Sequence, residues 1–179
     1  IGLRPVEGKL DSTELYRLIN KMRELGGRIS YKTSQWGEEI PYEINITYLD
    51  SLKSTFNGEE KFQIKRFICA HTIMFAMEGI PAIYIHSFLG TKNDYKAIAA
   101  GEGNRSINRF KWDKKDIHKI LEDKNSNNFY IMSKLNSLLN IRSKQPAFHP
   151  NATQFTLNLG DEVFGLWRQD KKRKQSIFS

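Results

Sequence analysis

The amino-acid sequence predicts an α/β chain that turns antiparallel β towards its end. An amphipathic helical run over residues 59–77 is closed by Gly79 and followed at once by the apolar run Ile80-Pro81-Ala82-Ile83-Tyr84-Ile85-His86. A short apolar run between a helix and a polar loop suits a strand buried on both faces of a parallel sheet. After Pro146 the period changes. Phe155-Thr156-Leu157-Asn158-Leu159 alternates, Gly160-Asp161 marks a turn, and residues 163–168 and 175–178 supply two more strand-like runs. That pattern opens an antiparallel sheet.

The elements follow in order. Residues 1–8 read as a loop punctuated by Pro5 and Gly8. A helix comes next, with Asp11 or Ser12 as its cap and Glu14 in its first turn. Leu15, Leu18, Ile19, Met22 and Leu25 share one face, and Gly26-Gly27 is the stop. Residues 28–41 show no period and read as an irregular, aromatic-containing loop; long loops of this kind are often functional. The alternating stretch Tyr42-Glu43-Ile44-Asn45-Ile46-Thr47-Tyr48 suits either a short strand or the lead-in to a helix through Leu52.

The helix over 59–77 has Glu59 and Glu60 at its start and a wide apolar face that includes Phe62, Phe67, Ile73 and Met77. Cys69 within it reads as a small core residue. The polar stretch 87–112 is the place to look for function, because ligand sites in parallel α/β folds lie on loops leaving the C-terminal ends of strands. Helices are expected over 114–122 and 128–142. Lys171-Lys172-Arg173-Lys174 reads as an exposed hairpin turn.

Composition excludes several classes. The 179 residues are 39% hydrophobic and 12% aromatic, a globular balance. No apolar run approaches the roughly 20 residues of a membrane span, and the start has no signal-peptide pattern. One cysteine permits no internal disulfide and fits a cytoplasmic protein. A net charge of +8 raises nucleic acid as a partner. The basic residues are scattered, however, and no nucleic-acid-binding motif is present, so no nucleic-acid or membrane partner is expected. The four histidines, His71, His86, His118 and His149, lack metal-ligand spacing. No metal or other cofactor is expected.

A single helix–strand unit does not make a doubly wound domain, and a β/α barrel takes eight units over roughly 250 residues. Both ends read as cuts. The expectation is the C-terminal part of a (β/α)8 barrel followed by the start of an antiparallel β-domain.

Three stretches carry a resemblance. They are Ile1-Gly2-Leu3-Arg4-Pro5-Val6-Glu7-Gly8; Pro41-Tyr42-Glu43-Ile44-Asn45-Ile46-Thr47; and Gly79-Ile80-Pro81-Ala82-Ile83-Tyr84 through Gly90-Thr91-Lys92-Asn93-Asp94 to Asn104-Arg105-Ser106-Ile107-Asn108-Arg109. In this order and spacing they resemble the sucrose phosphorylase subfamily of the α-amylase family of glycoside hydrolases, nearest its sucrose-6-phosphate and glucosylglycerate phosphorylase branch. The resemblance implies residues 1–58 as a subdomain inserted after the seventh barrel strand, 59–148 as the last barrel units, and 149–179 as the opening of the β-domain. It implies a retaining α-glucosyl phosphorylase: a carboxylate nucleophile, a Glu acid, and inorganic phosphate where hydrolases use water. The nucleophile, the acid and a third acid of a His-Asp-Gly motif fall before Ile1, so no catalytic residue is expected in this chain and the isolated chain is expected to be inactive. An α-glucoside and inorganic phosphate are the implied partners.

The resemblance further implies that Arg105 contacts donor glucose. A planar guanidinium suits vicinal hydroxyls, whereas the ordinary role of a loop arginine is a solvated charge. Tyr42 and Glu43 match a loop lining the acceptor and phosphate subsite. Sucrose phosphorylase carries Gln at the position of Glu43, and a carboxylate there repels phosphate unless it binds acceptor hydroxyls or pairs with a nearby arginine. His86, Asp94, Asn108 and Arg109 are supporting candidates. Loop bracing is the plainer role for Asn108 and Arg109, Asp94 is placed to brace Arg105, and His86 ends the expected strand. His71 reads as a packed core residue, and Trp36 as either a sugar platform or core. Gly101-Glu102-Gly103 reads as flexible loop because the dinucleotide-binding spacing is incomplete. The glycosylation patterns at Asn45, Asn104 and Asn151 carry no meaning in a cytoplasmic protein. The competing function is an α-glucoside hydrolase or transglucosidase on the same scaffold. A basic nucleic-acid-binding module rests on net charge alone.

Overall fold

The computed structural model describes residues 2–55, 58–59 and 61–179. After a 3-10 turn at Arg4–Val6, helix α1 (Ser12–Glu24) begins in a capping box. The Asp11 side chain accepts the Glu14 N–H at 2.8 Å, and the Glu14 carboxylate accepts the Asp11 N–H at 3.0 Å. Two donors that a helix start leaves unpaired are thus satisfied reciprocally. Gly27 closes the exit: a Cβ there would sit 2.8 Å from the Met22 carbonyl oxygen.

Residues 28–41 are not an irregular loop. Strands β1 (Arg28–Thr33) and β2 (Glu39–Asn45) pair antiparallel across a turn in which Ser34 Oγ accepts the N–H groups of Trp36 and Glu38, both at 3.1 Å. The alternation was masked because Ile29 is the only fully buried residue of β1. Trp36 lies at the tip, 80% exposed, and belongs to no core. Ile29, Ile44 and Ile46 close on Leu3, Ile19 and Leu25, which seats the hairpin on α1.

The stretch that suited strand or helix is both in turn. β2 runs to Asn45, then the Thr47 side chain accepts the Asp50 N–H at 3.3 Å and caps α2 (Tyr48–Ser51). The two-residue strands β3 (Ser54–Thr55) and β4 (Gly58–Glu59) precede α3 (Gln63–Ala76). Glu59 therefore lies in β4 and not in the helix, and Glu60 lies outside the described residues. Cys69, expected in the core, is exposed: Phe67, His71 and Phe75 define the buried face of α3 and Cys69 lies off it.

The expected strand at residues 80–86 is absent. The backbone at 80–84 forms no ladder, Ile80 is 84% and Tyr84 50% exposed, and Ile85–Phe88 forms the short helix α4. A parallel strand is held by bonds to its neighbours, and among the described residues no strand pairs with this run. The polar stretch beyond contains α5 (Tyr95–Ala99) and a 3-10 turn at Asn104–Asn108. Helices α6 (Lys114–Glu122) and α7 (Asn127–Lys144) stand where the sequence places them, capped by Asp113 and Ser126. Leu49, Phe67, Phe75, Ile131 and Leu135 form the core between α2, α3 and α7.

Strands β5 (Thr153–Asn158), β6 (Phe164–Gln169) and β7 (Ser176–Phe178) form an antiparallel sheet in that order. Asp170 organises the basic turn, accepting the N–H of Gln175 at 2.7 Å and of Lys172 at 3.1 Å. These bonds hold its carboxyl below the usual range. Two arginines join this sheet and α7 to the end of α3. Arg142 donates to the carbonyls of Phe75, Met77 and Gly79, and the fully buried Arg168 donates to those of Ala76 and His149. The last carbonyls of a helix lack intrahelical partners and carry partial negative charge, so buried cations are accommodated there. Burial lowers the pKa of both guanidinium groups. Among the described residues no helix is long and apolar enough to cross a membrane.

Candidate ligand-binding corner

The β1–β2 register carries the first feature of the site. Ser30 faces Glu43 but Tyr31 faces Pro41, so Tyr42 is an extra residue in the ladder. Such a bulge bends a strand and re-aims the side chains at it. The other edge of the bulge is occupied: the Leu3 N–H donates to the Tyr42 carbonyl at 2.8 Å, and Gly2 bridges Glu43. The first two of the three motifs therefore meet at Tyr42-Glu43.

The third motif meets them through Arg105. Its Nε donates to Glu43 Oε2 at 2.8 Å. The hydrogen bond to Glu43 first, then the charge of Glu43, then Tyr42, hold the guanidinium more firmly protonated than a free arginine. The Arg105 side chain remains 52% exposed and that of Glu43 19% exposed. Neighbouring Asn104 ties the turn to β1, donating to the Ile29 carbonyl at 3.3 Å and Ser30 Oγ at 3.4 Å. A guanidinium has five N–H donors, and the bond to Glu43 occupies one. The corner combines an exposed planar cation, a carboxylate already neutralised by it, and a tyrosine on a bulge. That set can bind hydroxyls or an anion.

The supporting candidates divide. Asp94 does not brace Arg105. Its side chain caps α5 by accepting the Ala97 N–H at 3.0 Å, and Glu43, distant in sequence, takes the arginine. Arg109 is exposed and closes the 3-10 turn through its backbone N–H to the Ser106 carbonyl at 3.0 Å. Asn108 accepts the Tyr84 hydroxyl on its backbone carbonyl at 3.3 Å, while its buried Oδ1 has no hydrogen-bond partner among the described residues. His86 and Asn108 line a separate cleft of about 260 Å³ with Tyr48, Tyr84 and Thr91. Thr91 Oγ1 accepts the Trp112 indole N–H at 3.0 Å and lies 3.3 Å from His86 Nδ1. The indole only donates, and the Thr91 hydroxyl keeps a second lone pair and its own proton for the contact with His86. Burial lowers the pKa of His86, in keeping with a neutral ring. His71 is buried, with Nδ1 at 2.8 Å from the Phe67 carbonyl. Among the described residues no cluster of metal-ligating side chains occurs.

Sequence reasoning missed Thr47, Asp50 and Asn93, which lie buried behind the corner. Thr47 and Asn93 stand within the motifs, but no spacing rule pairs residues so far apart.

No protein-family model matches the chain. It is 36% identical over 158 residues to a glucosylglycerate phosphorylase of Escherichia coli (strain K12), covering 88% of this chain and 28% of that protein. It is also 36% identical to a glucosylglycerate phosphorylase of Allomeiothermus silvanus, covering 99% of this chain and 34% of the relative. A sucrose phosphorylase of Streptococcus mutans is 27% identical over 83% of this chain and 28% of its own length. The crystal structure of sucrose 6F-phosphate phosphorylase from Thermoanaerobacter thermosaccharolyticum shares the fold, with a TM-score of 0.69 at 20% identity, over 97% of this chain and 35% of that one. The chain thus spans about a third of the length of the relatives it matches. The resemblance carried by the three motifs holds: the chain is a homologue of part of the glucosylglycerate and sucrose phosphorylases, sugar phosphorylases of the α-amylase family.

Proposed function

We propose that this chain is the closing part of a retaining α-glucosyl phosphorylase, which moves glucose from an α-glucoside such as glucosylglycerate, sucrose or a sucrose phosphate to inorganic phosphate. The observation that carries it is the bond between Glu43 and Arg105, which unites the acceptor-loop motif with the donor-arginine motif in one corner. Arg105 binds hydroxyls of the transferred glucose. Tyr42 and Glu43 line the place where the leaving group departs and phosphate enters.

Glu43 alone would oppose phosphate. Two unit charges about 4 Å apart interact by roughly 4 kcal/mol at the effective dielectric of a protein surface. Its bond to Arg105 leaves the pair without net charge, and that removes the objection to an anionic acceptor. The nucleophile, the general acid and the third carboxylate are assigned to protein preceding Ile1. In that protein residues 80–84 form the last barrel strand, between neighbours that cover Ile80 and Tyr84. The isolated chain, without the three carboxylates, turns over no glucoside.

The test is kinetic, in the longer protein that carries this sequence. Arg105→Lys keeps the charge and loses the planar fork. It is expected to lower kcat/KM for phosphorolysis by about a hundredfold while the thermal midpoint stays near that of wild type. Unchanged kinetics would remove Arg105 from the site.

One observation favours a second reading. A carboxylate at position 43 also suits hydroxyl-bearing acceptors, as in a hydrolase or transglucosidase on the same scaffold. Glucose or a transfer product as the main product, independent of phosphate, is what that reading expects.

A further inference from the structure

Behind the exposed corner lies a buried polar node that touches neither Glu43 nor Arg105 yet is bonded to the chain beyond each. Asn93 Oδ1 accepts the Thr47 N–H at 2.8 Å, just past the end of the strand that carries Glu43. The Asn93 N–H donates to Asp50 Oδ2 at 2.6 Å, and the Asp50 N–H in turn donates to Thr47 Oγ1 at 3.3 Å. The next residue faces the other way: the Asp94 N–H donates to the Ile107 carbonyl at 2.7 Å, within the turn that carries Arg105. Asn93 Nδ2 donates to the Tyr95 hydroxyl at 3.1 Å and fixes the orientation of the amide. Thr47, Asp50, Asn93 and Ile107 are all buried.

We propose that Asn93, held by Asp50, is a positioning residue that sets Glu43 and Arg105 in register with each other. The proposal rests on the corner being the ligand site and adds to it the device that aligns its two halves. Its logic is geometric. Glu43 and Arg105 arrive on separate elements, and their mutual bond is exposed to solvent on the arginine side. Solvent-exposed ion pairs fix geometry weakly. Buried, fully paired polar networks fix it strongly. The Asn93-Asp94 dipeptide is a short rigid link bonded to both carriers. Misplacing a ligand-contacting group by about 1 Å can cost on the order of a hundredfold in rate, so a residue outside the site controls turnover by this route.

The proposal is tested in the longer protein that carries this sequence, by amide hydrogen exchange together with kinetics. Asn93→Ala is expected to speed exchange at the Thr47 and Asp94 amides while leaving α7 protected. Unchanged exchange at Thr47 overturns the proposal. Loss of protection in α7 also overturns it, since Asn93 then serves stability alone. In phosphorolysis Asn93→Ala is expected to lower kcat/KM by about tenfold or more. In an Arg105→Ala background it should lower it by less than about twofold further. A full multiplicative loss in that background assigns Asn93 a role independent of Arg105 and overturns the proposal.

A second variant set guards against a general folding defect. Asn93→Asp keeps the acceptor for Thr47 but sets a carboxylate beside Asp50. Adding Asp50→Asn restores the charge count and is expected to recover kcat/KM to within about threefold of wild type; no recovery counts against the node. A wild-type protein without phosphorolytic activity sinks the proposed function instead, and the exchange experiment alone then decides whether Asn93 holds the corner.

Discussion

The corner built on β1 and β2 takes its hydrogen bonds from within the chain, whereas the run over residues 80–85 stands open beside α3 and α7. In the corner Tyr42 meets Leu3, Asn104 meets Ile29, and Glu43 meets Arg105. In the run Ile80, Tyr84 and Ile85 are exposed, and the backbone at 80–84 pairs with no strand among the described residues. Local partners complete a structure whatever else the protein contains. A segment whose partners lie elsewhere keeps its apolar composition and lacks its ladder. The difference separates a corner whose hydrogen bonds are supplied locally from an apolar run that has no ladder partner among the described residues.

Substitutions can break or sharpen that contrast. The largest effect belongs to the core under both regions. Phe67 is fully buried among Leu49, Phe75, Ile131 and Leu135. Phe67→Ala is expected to cost about 3–5 kcal/mol in urea denaturation and to disorder the corner and the run together. Next is Arg142→Ala, which strips donors from the Phe75, Met77 and Gly79 carbonyls at the point where the open run leaves α3. About 2–3 kcal/mol is expected, with hydrogen exchange rising at residues 76–80 and not in β1 or β2.

A smaller effect comes from acid. Burial lowers the pKa of His71 from its usual 6.5. The unfolded chain then binds a proton at higher pH than the folded one, so stability is fully present above about 6.5 and is lost as pH falls through the folded pKa. His71→Phe should flatten the stability curve below about pH 6.5 in a thermal-melt series, and an unchanged slope would place the titration elsewhere. The smallest effect is Ile80→Ser in the isolated chain, within about 0.5 kcal/mol because the side chain already faces solvent. In the longer protein the same change is expected to cost about 2 kcal/mol or more. Equal costs in the two settings would show that nothing covers the run.

Much of the fold was legible because its signals are local. The Asp11 cap with Glu14 in the first turn, the helical runs that became α6 and α7, and the alternation over residues 155–159 each sit within a few residues of what they determine. The hairpin at 28–45 was not legible, since the outward positions of β1 are polar and a single buried isoleucine sets no period. Residues 80–86 have strand composition, but a parallel ladder depends on neighbours that composition does not supply. At the site, the motifs pointed to Arg105, Tyr42 and Glu43, and an arginine partner for Glu43 was one of the alternatives held open. Asp94 was misassigned because it is near Arg105 in sequence. Its short side chain is taken by the helix start beside it, while the strand bulge delivers Glu43 from far away.

The central claim is that the corner serves phosphorolysis. The most direct measurement follows products by 31P and 13C NMR when the longer protein meets glucosylglycerate or sucrose in phosphate buffer. The account predicts α-glucose 1-phosphate, formed at a rate that rises with phosphate and falls in Arg105→Lys. Free glucose as the main product, at a rate indifferent to phosphate, would contradict it.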